Sequence, residues 1–431
     1  MIPRLLAIAE QVRTSLWFVP TVMVIGALFV AWGSLEVDVQ VDTTGSVWWL
    51  NQGTAEDAGR LFSTLLGSLI TMATLVISIT MVVLTLAAGQ LGPRLIRAFV
   101  GDRRAQFVIG FFLATVAYLL VVYRLLDGTL PKEAVPHFAV TLGSGLVFAC
   151  LGALIFYVHH LSRSIVADTM VDRVGTELDR AIAANLPASD GDGPRQLVRG
   201  VGPPARLGFE QSGYLQAIDH GAIASAAKGR DALVELGVRP GHHVLADRDH
   251  VFVWPAAALD DAFAAAIRES VAIGPERTAF QDLEFSIRQL VEIALRALSP
   301  GINDPFTAIA VIDRIAASLA MAMTRAEVPS SHPDEDGRIR VLADTSTFEG
   351  LVDLGFNQIR QAASTHVDVL IDMTDALGAL AERPRSEKQR AVLRRHLDAV
   401  RETGRLSIRH ASDLAALEHR SARAIEAADR A

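Results

Sequence analysis

Four hydroxyl side chains recur at every seventh residue, Thr64, Thr71, Ser78 and Thr85, inside a stretch without charge from Leu61 to Pro93. A seven-residue step keeps them on one gently supercoiling helix face, beside Gly67, Thr74 and Ala88. On an apolar helix, small and hydroxyl residues serve two purposes. They let a second helix approach closely, or they offer hydrogen bonds to water and ions along a pore. Both readings stand at this point. Glu56 and Asp57 precede the stretch and would raise the local cation concentration at an outer mouth, whereas Arg94 and Arg97 follow it.

A second set of polar residues lies far along the chain. Glu284, Arg288, Glu292 and Arg296 step at i,i+4, so acid and base alternate up one helix face. Leu283, Ile287, Leu290, Val291, Ala294 and Leu298 form the face to be buried. Pro300-Gly301 ends that helix, and Asp304-Pro305 starts the next as N-cap and first helical residue. The segment is therefore expected to be a helical hairpin. Arg288, Glu292, Asn303 and Asp304 are its candidates for contact with a cytoplasmic ligand or with another copy of the chain, although capping alone accounts for Asp304.

Other chemistry finds little support. His159-His160 and His242-His243 suggest a metal, but adjacent histidines chelate poorly without further ligands, and no HExxH or CxxC partner set is present. No phosphate-binding loop, dinucleotide fingerprint or nucleophile elbow occurs, so no catalytic residue, metal or cofactor is assigned. The single cysteine, Cys150, excludes a disulfide within one chain. A formal net charge of −8 argues against a nucleic-acid partner, which would require a basic surface.

The elements that must position these residues divide the chain in two. Mean hydropathy is +0.32, too apolar for a soluble protein, and the excess lies before about residue 162. Four charge-free stretches run Ser15–Leu35, Leu61–Pro93, Ala105–Tyr123 and Phe138–Val158, each with the roughly 20 residues needed to cross a bilayer as a helix. The second, at about 50 Å of helix, must tilt, bend or project. The loops alternate in sign. Arg4 and Arg13 precede the first span; Glu36, Asp38, Asp42, Glu56 and Asp57 follow it. Arg94, Arg97, Arg103 and Arg104 separate the second from the third, Asp127, Lys132 and Glu133 the third from the fourth, and Arg163 comes after the fourth. By the positive-inside rule both termini are expected in the cytoplasm. Arg124 is the exception and is expected to snorkel to the interface.

The expected fold class is mainly α: a four-helix N-terminal transmembrane region plus a cytoplasmic α+β domain, with a small β-rich module followed by helical hairpins. The boundaries are 1–163 for the spans, 164–195 for a connecting helix and linker, 196–256 for the β-rich module and 257–431 for the helical domain. Strands are expected at Gln196–Val201, Gly213–Ile218, His243–Ala246 and Val251–Trp254, with residues 221–236 helical between them. Helices follow at Ala256–Val271, Ala279–Leu298, Pro305–Arg325, Thr347–Leu380 (continuous or broken) and Ser386–Asp429. Residues 325–337 read as a disordered insertion and Arg338–Leu342 as an edge strand.

The run from Gln281-Asp282 through Ile287-Arg288-Gln289-Leu290 to Ser299-Pro300-Gly301-Ile302-Asn303-Asp304-Pro305-Phe306-Thr307-Ala308 resembles the signature of a bacterial family of predicted membrane proteins, domain of unknown function 2254. Ser212-Gly213-Tyr214 with Ile218-Asp219, and Pro240-Gly241 before Val244, are similar to its β-module. The resemblance implies a multi-pass protein of the bacterial inner membrane and brings no activity or site residue with it. From the residues themselves, the first functional expectation is a homo-oligomeric channel or transporter, gated by its cytoplasmic domain and acting on an ion or small ligand. A membrane-anchored sensor or scaffold is the alternative. The lipid bilayer is a partner in both.

Overall fold

The computed structural model describes residues 17–40, 53–91, 102–126, 135–164, 167–188, 196–197 and 202–430. Arg4, Arg13, Asp42, Arg94, Arg97, Asp127, Lys132, Glu133 and the linker 189–195 lie outside them, as do the side chains of Ala88 and Arg163. Two compact units divide at Val166/Ala167.

The first unit holds four helices: α1 (Phe18–Gln40), α2 (Ala55–Leu91), α3 (Arg103–Leu125) and α4 (His137–Ser164). Each is long and apolar enough to cross a membrane. The central helix is α3, against which the other three pack, so more of it is buried than of any other. Phe62, Leu69 and Val76 of α2 meet Val108, Phe112 and Leu119 of α3 in one apolar core.

Polar residues fasten this unit at both ends. The Asp38 carboxylate of α1 accepts from the backbone N–H groups of Phe138 (2.8 Å) and Ala139 (2.9 Å), capping α4 where its dipole is positive. Tyr118 donates to the Ala139 carbonyl and meets Ser34. At the other end Asp102 caps α3 and lies 2.7 Å from His160 Nε2 of α4.

The second unit begins with α5 (Ala167–Asn185), followed by two small sheets. The larger runs β1 (Gln196–Leu197), β9 (Arg338–Ala343), β4 (Leu233–Leu236), β6 (Asp249–Trp254), β2 (Ala205–Gly208), with β8 (Ser331–Pro333) also paired to β9. The smaller orders β5 (His243–Val244), β3 (Gly213–Ile218) and β7 (Val271–Gly274). Helices α6 (His220–Lys228) and α7 (Asp261–Glu269) contribute Ile223, Phe263 and Ile267 to the core over Val234, Val251, Val253 and Val341.

Several sequence expectations need correction here. Residues 221–236 are not one helix: α6 ends at Lys228, Asp231 takes a left-handed φ of 48°, and Leu233–Leu236 forms a strand. The expected helix to Val271 stops at Glu269, and Val271 opens a strand. Strand β9 is interior, with β8 along one side and β1 followed by β4 along the other: Ile339 pairs with Pro333 and Leu197, and Val341 with His332 and Val234. Part of the supposed disordered insertion is ordered by a buried ion pair. Arg340 Nε lies 2.9 Å from Asp334 Oδ2, with both side chains buried, and Asp334 also accepts from the backbone of Asp336 and Arg338. That carboxylate closes the β8–β9 hairpin.

The helical remainder comprises α8 (Leu283–Ala297), α9 (Pro305–Met323), α10 (Phe348–Ala362), α11 (Val367–Ala381), α12 (Glu387–Ser407) and α13 (Ala411–Arg430). The last two were expected as one helix; Ile408, in extended backbone, interrupts it. Length and composition would also let α9 cross a membrane. It instead packs against α5, α8 and α11, with Arg314 at its centre held 2.6 Å from Asp179 of α5 and 2.8 Å from Ser318. Such a charge at mid-bilayer would be expensive.

Candidate functional site

Two places carry the polar residues that the sequence singles out. On α2, Thr64, Thr71, Ser78 and Thr85 are all exposed, whereas Leu69, Val76 and Val83 are buried in the helix core of their own unit. The face extends through Ser63, Gly67, Ser68 and Thr74, with Leu75 and Val82 exposed among them, and a Cβ built on Gly67 would meet nothing within 4 Å. The hydroxyl stripe therefore points away from α1, α3 and α4. Within the helix, Thr64, Thr71 and Thr85 donate to the carbonyls of Arg60, Gly67 and Met81 at 2.8–3.0 Å. Their donors are satisfied, and the oxygen lone pairs face outward.

The acidic residues ahead of the stripe have local partners. Asp57 accepts from Thr54 Oγ1 (2.6 Å) and its backbone N–H donates back to Thr54, a reciprocal cap on α2. Glu56 pairs with Arg60 one turn on, at 2.5 Å, with both side chains mostly exposed.

The second place is an ionic junction where α8 begins. Asp282, 2% exposed, caps α8 and receives Arg277 through two bonds, Nε–Oδ2 of 2.7 Å and Nη2–Oδ1 of 2.9 Å. Glu284 meets Arg239 at 2.5 Å and Arg288 at 3.4 Å, and Arg239 also holds Asp344 at 2.7 Å. Gly241 sits against this cluster with φ of 93°. A Cβ there would come within 2.3 Å of Asp282 Oδ2, so no side chain fits.

Burial and partners compete at these groups. Burial pushes the Asp282 carboxyl up and prevails over Arg277. Burial also pushes Glu284 up, but the Arg239 and Arg288 guanidiniums prevail and hold it low. His242 is lowered by burial and by Arg239. Three guanidiniums (Arg239, Arg277, Arg288) face three carboxylates (Asp282, Glu284, Asp344), so the junction balances its own charge. It ties the Arg239–His242 turn to the start of α8.

Of the ladder on α8, Arg288 reaches Glu284, while the shorter bond of Glu284 goes to Arg239, distant in sequence. Asp304 caps α9: Oδ1 accepts from the Thr307 N–H (3.2 Å) and Oδ2 from its hydroxyl (2.6 Å). Asn303, with φ of 54°, meets His366 Nε2 at 3.0 Å. Asn303 and Asp304 lie at the far end of α8 from the junction, about 22 Å along a 15-residue helix. The structure thus does not bring them together with Glu284. Among the described residues no group of three or more metal-ligating side chains occurs.

A family model described as "Predicted membrane protein (DUF2254)" matches residues 13–379, a span that includes all four apolar helices, both sheets and most of α11. The chain belongs to the DUF2254 family. Uncharacterised proteins from Mycobacterium bovis (Mb1321c) and Mycobacterium tuberculosis (Rv1290c) are each 31% identical to this DUF2254 protein, over all of its length and 84% of theirs. No solved structure matches it. Sequence reading of the DUF2254 chain missed Arg239, Arg277 and Asp344. The close Arg277–Asp282 spacing was the one available signal, because the other partners come from separate loops.

Proposed function

We propose that this DUF2254 protein is a homo-oligomer of the bacterial inner membrane whose α2 helices line a polar path for ions, with both termini and the unit from Ala167 onward in the cytoplasm. The observation that carries this reading is the direction of the α2 hydroxyl face, which turns outward from its own four-helix unit. Lipid tails offer that face no hydrogen bonds, whereas a copy of the same face, or water between copies, does. Small residues at Gly67 and Ser68 permit close approach of neighbouring helices. The outward lone pairs of Thr64, Thr71 and Thr85 favour cations, and with Glu56 paired to Arg60 the exposed Asp57 leaves one negative charge at that end. The second unit would regulate the path.

A second reading, a membrane-anchored sensor or scaffold, draws on the hydrogen bonds within α2. Since the threonine donors are already satisfied, the face also tolerates a dry seam. Purified protein reconstituted in liposomes separates the two. Potassium flux above that of empty liposomes, lost when Thr71 and Ser78 are replaced by leucine, supports the path. Folded protein without flux supports the anchor.

A further inference from the structure

The second unit exposes few large apolar side chains, and three of them belong to one end of it. Phe306 is 81% exposed, Leu406 83% and Ile302 44%. Ile302 and Phe306 flank the α8–α9 turn, and Leu406 closes α12. Contacts between the helices fix where these turns lie. Asn303 meets His366, which places the α10–α11 turn beside the α8–α9 turn. Helices α10 and α12 run parallel, since Asp353 meets Arg395 and Arg360 meets Thr403. The α12–α13 turn therefore lies at the same end as the α10–α11 turn.

Helix α5 starts at that end too. It runs parallel to α9: Asp179 contacts Arg314 and Ser318, and farther on Leu186 accepts from Arg325. Counting back from the Asp179–Arg314 contact, the first residues of α5 and α9 are level to within about 5 Å at 1.5 Å per residue. Only residues 165 and 166 separate Ala167 from Ser164, the last residue of α4, whose apolar span ends at Leu161. Three Cα steps of at most 3.8 Å and one turn of helix keep Ala167 within roughly 16 Å of the end of that span. The covalent chain alone thus keeps the start of α5 within reach of a bilayer surface.

We infer that the Ser299–Phe306 turn, together with Leu406, is a lipid-docking face that inserts Ile302, Phe306 and Leu406 at the boundary between headgroups and acyl chains. An aromatic and two branched aliphatic side chains on turns suit that boundary, where apolar area is buried while nearby backbone stays hydrated. The exposed Arg409 and His410 beside Leu406 would sit among the headgroups. Apolar insertion drives the contact, so it needs no anionic lipid. This inference stands apart from the α2 path and holds equally for a channel or an anchor.

The test uses the full chain with Cys150→Ser and single cysteines replacing Ile302, Phe306 or Leu406, labelled with an environment-sensitive fluorophore in phosphatidylcholine nanodiscs. Phe280 and Leu245 provide controls, because both are exposed and apolar. The carbonyl of Phe280 accepts from Asn185 at the other end of α5, about 27 Å from Ala167. Acyl chains carrying a spin label should quench positions 302, 306 and 406 several-fold more than 245 and 280. Equal quenching at all five positions, or none at the three, overturns the inference. A blue-shifted but unquenched signal overturns it as well, since a protein partner would then cover the face.

Discussion

Arg277 clamps Asp282 through two near-parallel hydrogen bonds in a pocket that Gly241 leaves open by lacking a side chain. Because the carboxylate is 2% exposed, removing the guanidinium would leave it buried without a counter-ion, with only the Glu284 N–H donating to it. Arg277→Ala should cost about 3–5 kcal/mol of stability in the second unit. Chemical unfolding followed by a probe in that unit checks this, and a loss under 1 kcal/mol would show the junction to be peripheral.

Gly241→Ala tests the same pocket from the backbone side. The φ of 93° disfavours any L side chain, and the added methyl would collide with Asp282 and Arg277. The loss should exceed the roughly 1 kcal/mol typical of glycine-to-alanine changes at compatible sites, with the opposite sign. Combined with Arg277→Ala, the effect should be less than additive, because both substitutions disturb one carboxylate.

Asp372 on α11 gives a pH prediction. Burial, with Asp313 and Asp375 nearby, raises its carboxyl from 3.8 to about 6, and its Oδ2 is buried without a hydrogen bond. A raised folded-state value means that folding takes up a proton between the two values. That favourable contribution is complete below the unfolded value and is lost as pH rises through about 6. Asp372→Asn should therefore raise Tm at pH 7.5 and change it little at pH 4. A lower Tm at pH 7.5 would mean that the charged form has a partner.

Asp304→Ala should reduce stability by about 1 kcal/mol, the ordinary cost of losing an N-cap. Asp304→Asn or Ser should restore most of it. Should alanine leave unfolding unchanged while abolishing activity, a ligand role would replace the cap.

The sequence made local structure legible where one short segment determines it. The Asp304-Pro305 start of α9 and the Gly213–Ile218 strand follow from capping and alternation within a few residues. The strand at Leu233–Leu236 was hidden because four residues, Leu-Val-Glu-Leu, are too few to separate a helical from a strand period. What decides it is the pairing with β6 and β9, far along the chain. The junction was hidden for the same reason. The i,i+4 rule found Glu284 with Arg288, but desolvation makes the bond to Arg239 the stronger one, and only the fold brings Arg239 there. The hydroxyl stripe was readable as a periodicity, whereas its outward direction required knowing which face of α2 packs on α3.

Reactivity along α2 tests the polar path most directly. In full-length protein with Cys150→Ser, reconstituted in liposomes, single cysteines at Thr64, Thr71, Ser78 and Thr85 should react with a membrane-impermeant, water-soluble thiol reagent. Cysteines at Leu69, Val76 and Val83, buried within the four-helix unit, should remain protected. Equal protection at all seven positions would contradict the path and leave the stripe as a dry seam.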